Sequence, residues 1–134
     1  MRIELTSIFV DDQNRARDFY TGVLGFEIRH DEPMGDGAFW LTVGSPERPD
    51  GPEILLEPAG HPAVGPYREA LIADGIPLAQ LAVDDVRAEV ERLRSRGVAI
   101  TQEPTDFGPG VFAVFDDTCG NIIQLLEMKP DEQA

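Results

Sequence analysis

Glu57 closes the apolar stretch Ile54-Leu55-Leu56 one residue before Pro58. Turned inward beside Leu55, Leu5 and Leu78, its carboxylate would be partly desolvated. Its pKa would then rise toward the range of a general base. The same group could anchor a cationic ligand, or it could end its strand in solvent. Phe39 and Trp40, with Phe112 in the second half of the chain, are candidate aromatic walls for a ligand, although a strand-centre Trp equally serves core packing. Gln124 lies between Ile123 and Leu125, and an amide in an apolar strand must bond a neighbour or read a ligand. Asp11-Asp12 and Asp84-Asp85 are paired carboxylates, but each pair precedes an amphipathic run, where Asp caps orphan backbone N–H groups. His30 and His61 fall in loops and are expected to face solvent. Cys119 has no second cysteine to pair with and is expected to be structural. Gly108-Pro109-Gly110 suits a flexible hairpin loop that could close as a lid, and it carries no phosphate-loop pattern.

The elements that would position these groups come in a repeat. Val10-Asp11-Asp12 opens a run that ends at Gly25-Phe26, and Val83-Asp84-Asp85 opens a second that ends at Gly97-Val98. In the first, Ala16, Phe19, Tyr20, Val23 and Leu24 form one helical stripe over 12–24. In the second, Val86, Val90 and Leu93 do the same over 86–96. Alternating residues predict strands at 3–10, 26–29, 38–43 and 53–57, and again at 78–83, 99–101, 111–115 and 122–127. The order is βαβββ, twice, and a unit of that size cannot bury its apolar face alone.

The fold class that follows is α+β: two tandem βαβββ modules forming a curved mixed sheet around a cavity, helices outside. The 134 residues are read as one domain. Residues 1–58 are the first module, 59–76 a connector with a short helix near Tyr67–Ala73, and 77–128 the second module. With each helix covering one sheet face, alternation leaves Leu5, Ser7, Phe9, Leu78, Gln80 and Ala82 on the other. That half-polar lining suits a small organic ligand, with Ser7 and Gln80 as its polar contacts.

A net charge of −14 argues against nucleic acid, which needs clustered Lys and Arg. No apolar run approaches the roughly 20 residues of a membrane span. The N-terminal residues lack signal-peptide architecture, and the single cysteine suits a reducing compartment, so the cytoplasm is the expected location.

The segments Ser7-Ile8-Phe9-Val10-Asp11-Asp12, Phe19-Tyr20 and Leu24-Gly25-Phe26 resemble the glyoxalase/bleomycin-resistance/extradiol-dioxygenase family, the vicinal oxygen chelate superfamily. Val83-Asp84-Asp85, Gly97-Val98, Phe115–Asn121 and Gln124-Leu125 extend the resemblance over roughly residues 3 to 128. It implies a ligand cavity between two modules and, in the family's enzymes, one divalent metal held by His, Gln or Glu. Those ligand positions fall on Leu5, Glu57 (within two residues), Leu78 and Gln124. Two leucines leave too few donors, so no metal or other cofactor is expected. The resemblance therefore implies a metal-free binder of a small, cationic or neutral, molecule. Ser7, Phe39, Trp40, Gln80, Phe112, Gln124 and Glu57 are its candidate site residues. The alternative is a lyase, isomerase or dioxygenase-type enzyme that uses Glu57 as base, with or without a divalent metal. A homodimer is expected, because open sheet edges must be covered.

Overall fold

A computed structural model describes residues 1–130 of the chain. The order of elements is β1 (Leu5–Val10), α1 (Gln13–Asp18, running on through a π-helical turn at Phe19–Val23), β2 (Glu27–Gly35), β3 (Ala38–Gly44) and β4 (Glu53–Pro58). After these come α2 (Val64–Ala73), β5 (Ala79–Ala82), α3 (Val86–Ser95), β6 (Ile100–Asp106), β7 (Gly110–Asp116) and β8 (Ile122–Met128). The βαβββ order is thus present twice. Each module builds its own four-stranded mixed sheet, ordered β1-β4-β3-β2 in the first and β5-β8-β7-β6 in the second. In both, the first strand pairs parallel with the last and the other pairings are antiparallel. By compactness the chain divides into Met1–Glu69 with Thr118–Gly120, and the remainder from Ala70. No helix among the described residues is long and apolar enough to cross a membrane.

The helices start where the paired aspartates place them. The Asp12 carboxylate accepts the Asn14 and Arg15 N–H groups at 2.9 and 3.2 Å, and Asp85 accepts that of Ala88 at 3.0 Å. The second Asp of each pair is therefore the cap. Beyond Asp18 the first helix widens. Thr21 Oγ1 donates to the Arg17 carbonyl at 2.6 Å, so the regular ladder is perturbed there. The wider turn lets two adjacent rings, Phe19 and Tyr20, both bury, edge to face with centroids 5.7 Å apart. Gly25 ends the run at φ +89°, the left-handed conformation glycine adopts most cheaply.

Two strands are longer than alternation predicts. β2 continues past Arg29 to Gly35 through Pro33, and β6 continues past Thr101 to Asp106 through Pro104. Both are edge strands, and each pairs irregularly beside its proline. A residue without an N–H is tolerated in those places. Along β1 only Ile8 and Val10 are buried, on the side of α1, together with Leu41, Val43 and Leu56. In the second module Val90 and Leu93 of α3 bury with Ala113, Phe115, Ile123 and Leu125. Each sheet thus keeps one apolar face under its helix and presents the other, mixed in character.

Candidate functional site

Strand register decides which residues share the face opposite α1. Ser7 pairs with Leu55 and Phe9 with Glu57 across β1 and β4. Thr42 pairs with Leu55, His30 with Thr42, and Glu32 with Trp40. Because directly paired residues point the same way, Ser7, Phe9, Glu57, Thr42 and Trp40 lie together on this face. Glu57 is half-buried and Trp40 is 38% exposed. Phe39, between Trp40 and Ala38, points to the other side. There the Arg17 guanidinium of α1 lies 4.8 Å from its ring centroid and forks onto Asp31 at 2.7 and 2.8 Å. That bond to Asp31 holds the Arg17 pKa above its ordinary value. Phe39 therefore belongs to the α1 side and does not share a wall with Trp40.

Where β3 and β4 part, before Trp40 and Glu57, they are joined by a residue that sequence reasoning missed. The β3–β4 ladder runs only from Gly44↔Glu53 to Thr42↔Leu55. Past that point the amide of Gln13, buried on α1, takes over. Its Nε2 donates to the Phe39 and Leu56 carbonyls at 2.9 and 2.8 Å, and its Oε1 accepts the Phe39 N–H at 2.9 Å. Trp40 and Glu57, which would be the next pair on this face, stand beyond the last rung. A Gln in the first turn of an amphipathic helix reads as solvent-facing, so nothing local in the sequence signals this role.

Toward β2 the same face is occupied by other side chains. Arg29 lies over Gly44, where even a Cβ would collide with it, and bonds the Ser45 and Pro49 carbonyls at 2.8 and 3.1 Å. His30 Nε2 reaches across β3 to within 3.9 Å of a Glu53 carboxylate oxygen. The Thr42 hydroxyl is fully buried on this face and has no hydrogen-bond partner among the described residues. On this face Ser7 and Trp40 are exposed, and Phe9 and Glu57 are half-buried.

The face opposite α3 has different chemistry at matching positions. Gln80 pairs with Gln124 and Ala82 with Leu126, while Val114 and Phe112 follow on β7. Gln124 Nε2 donates to Gln80 Oε1 at 2.9 Å. Phe112 is met edge-on by Phe107, with centroids 5.8 Å apart. In these registers Gln124 stands to Gln80 as Leu55 stands to Ser7, and Leu126 stands to Ala82 as Glu57 stands to Phe9. The first-module counterpart of Gln124 is thus Leu55, two residues before Glu57.

That register bears on the metal that the resemblance implies. The positions where a family enzyme would carry ligands hold Leu5, Leu55, Leu78 and Gln124. Three have no donor atom, and the fourth is an amide already bonded to Gln80. No group of three His, Cys, Asp or Glu side chains suited to a metal occurs among the described residues. The donor set does not fit a catalytic divalent ion.

The remaining candidates have structural partners. His61 Nδ1 accepts the Ala63 N–H at 3.0 Å, and the His61 carbonyl accepts that of Val64 at 3.1 Å, so this residue sets the start of α2. Buried Arg68, also not anticipated, donates to the Phe9 and Cys119 carbonyls at 3.1 Å each and pairs with Asp11. Asp11 is thereby a partner of Arg68, not a cap. Cys119 is buried in the turn Arg68 holds. The Gly108-Pro109-Gly110 turn is tied on both sides: Asp106 accepts the Gly108 N–H at 2.9 Å, and the Lys129 N–H donates to the Pro109 carbonyl at 2.8 Å. The Gly108 N–H first, and then Lys129, hold the Asp106 carboxyl below its ordinary range. A turn pinned in this way is a fixed hairpin end, unlike the free lid that its composition suggests.

A family model described as Glyoxalase/Bleomycin resistance protein/Dioxygenase superfamily matches residues 2–125. A Bacillus subtilis (strain 168) protein described as uncharacterized protein YurT is 47% identical over 127 residues, covering 95% of this chain and 99% of its own. A lactoylglutathione lyase of Escherichia coli O157:H7 is 30% identical over 132 residues, covering 96% and 94%. Among solved structures, TnmS3, an antibiotic binding protein from Streptomyces sp. CB03234, is 32% identical. It aligns with a TM-score of 0.75 over 96% of this chain and 97% of its own.

Proposed function

This chain belongs to the glyoxalase/bleomycin resistance protein/dioxygenase superfamily, and on that premise we propose that it binds a small organic molecule without a metal and favours cationic ligands. The observation that carries this reading is the pairing of a half-buried carboxylate, Glu57, with an exposed indole, Trp40, on one sheet face past the last β3–β4 rung. An ammonium or guanidinium group placed there would gain a charge-assisted bond and a ring contact together. Ser7 and Phe9 border the same ground. The antibiotic-binding description of TnmS3, a protein of the same fold and 32% identical, supports a binding role.

The test uses benzyltrimethylammonium and neutral benzyl alcohol, titrated by calorimetry into wild type and Glu57→Gln. The substitution should weaken the cation by about 1–3 kcal/mol, the worth of a hydrogen bond to a charged group, and leave the alcohol nearly unchanged. Equal losses for both probes would remove the anionic anchor. The lyases at 30% identity favour a second reading, in which Glu57 acts as general base toward a bound carbon acid. Exchange of substrate protons with deuterated solvent, abolished by Glu57→Gln, would establish it. Two further proposals accompany either reading. The sheet edges, with Ile28 and Met34 exposed on β2, are proposed to pair in a homodimer, which sedimentation at tens of micromolar would reveal. A cytoplasmic location is proposed on the lone buried Cys119, and fractionation would check it.

A further inference from the structure

The face opposite α3 holds a pair of amides with unused hydrogen-bonding capacity. The side chains of Gln80 and Gln124 share one bond, at 2.9 Å, and no other side-chain hydrogen bond of either is seen among the described residues. Whichever way the two amides are flipped, one shared bond consumes one N–H and one carbonyl of the pair. One carbonyl and one NH2 then remain, on adjacent strands roughly 5 Å apart. That is an acceptor beside a donor on one face of the sheet, on the edge strand and its neighbour. One row further along lie Ala82 and Leu126, and next to Leu126 stands Phe112, backed edge-on by Phe107. Ala82 is small and exposed where its first-module counterpart is Phe9, and Leu126 and Phe112 beside it are only partly covered. No charged side chain stands in either of these two rows on β5, β7 and β8.

We infer that this face recognises an uncharged, planar aromatic or heteroaromatic molecule through an amide-type edge, a lactam or imide whose C=O and N–H stand side by side. The ligand's N–H bonds the free glutamine carbonyl, its C=O accepts from the free NH2, and its ring covers Leu126 against Phe112. A carboxylate is disfavoured, since it would leave the glutamine carbonyl facing an anion. An ammonium is disfavoured too, since only one oxygen is available to it. This inference rests on the small-molecule-binding reading and names the ligand chemistry for the second module, where Glu57 is not involved.

The experiment compares 1(2H)-isoquinolinone, its N-methyl derivative and isocoumarin, three probes of one shape that differ only at this edge. Binding is followed by side-chain amide NMR signals and by calorimetry. The lactam should bind and should shift the Gln80 and Gln124 NH2 resonances. The N-methyl and lactone analogues should each bind about three- to tenfold more weakly, the effect of one lost neutral hydrogen bond. Gln124→Leu should erase the preference, and Gln80→Ala, at an exposed position, should do the same without threatening the fold. Equal binding of the three probes, an unchanged preference in both variants, or no binding of any probe would overturn the inference. Benzyltrimethylammonium serves as the reference in every sample. If it still binds in a Glu57-dependent way, only the amide-edge assignment has failed; if it does not, the cation-binding reading has failed separately.

Discussion

Gln13→Leu tests whether one buried amide sets the opening between β3 and β4. The substitution keeps the side-chain volume and the helix but removes three hydrogen bonds, to the Phe39 carbonyl, the Phe39 N–H and the Leu56 carbonyl. Each contributes about 1 kcal/mol net, and a buried backbone group left without any partner costs about 1–3 kcal/mol more. Phe39 is half-exposed, so water takes over its two bonds at little net cost, whereas the wholly buried Leu56 carbonyl loses its bond and is left unpaired. The expected loss is therefore about 2–4 kcal/mol, or roughly 8–15 °C in Tm for a chain of this size. Urea unfolding gives the energy, and the emission of Trp40, the only tryptophan, gives the local effect. Gln13→Glu sharpens the test, because a carboxylate there faces two carbonyl oxygens and must hold a proton to donate. Its folded pKa would lie above the unfolded value of about 4.3, so its stability is retained at low pH and lost as pH rises through the folded pKa. A loss under about 0.5 kcal/mol in Gln13→Leu, with unchanged Trp40 emission, would refute the reasoning.

Asp12→Ala and Asp85→Ala should each cost about 1 kcal/mol in thermal unfolding, because each removes a helix cap, while Asp84→Ala, at an exposed position, should cost little. Gly110→Ala should destabilise by about 1–3 kcal/mol, since the new Cβ would strike the Glu127 carbonyl on β8, and urea denaturation reads the effect. The Asp106 carboxyl is held below its ordinary value of 3.8, so the hairpin tie it makes should persist above that value and be lost as pH falls through the lowered pKa. Hydrogen exchange of the Gly108 amide across an acid series checks the sign, and titration of Asp106 at or above 3.8 would contradict it.

The repeat was legible because helix caps and apolar stripes are local. An Asp that accepts the N–H groups two or three residues on needs no tertiary partner to be recognised, and Ala16, Phe19 and Tyr20 fall on one face at any helical spacing. The same holds for Ser7 and Gln80, whose side follows from alternation along a single strand. The strand ends were less legible. Pro33 and Pro104 read as breaks, yet they sit in edge strands, and whether a strand is an edge depends on which neighbours it finds.

The candidate site divides in the same way. Glu57, Trp40 and Gln124 stand out in the sequence as polar or aromatic groups in apolar strands. Tertiary pairing alone decided that Phe39 turns toward Arg17, that Leu55 and not Glu57 matches Gln124, and that Gln124 meets Gln80. Gln13 and Arg68 were invisible for a related reason, since each is a surface residue type whose partners lie 26 to 59 positions away. A residue's face within its own element repeats every two or 3.6 residues and can be read from the chain. Its partner across elements is set by strand register and by the buried carbonyls left over when a ladder ends, and these exist only once the sheet has formed.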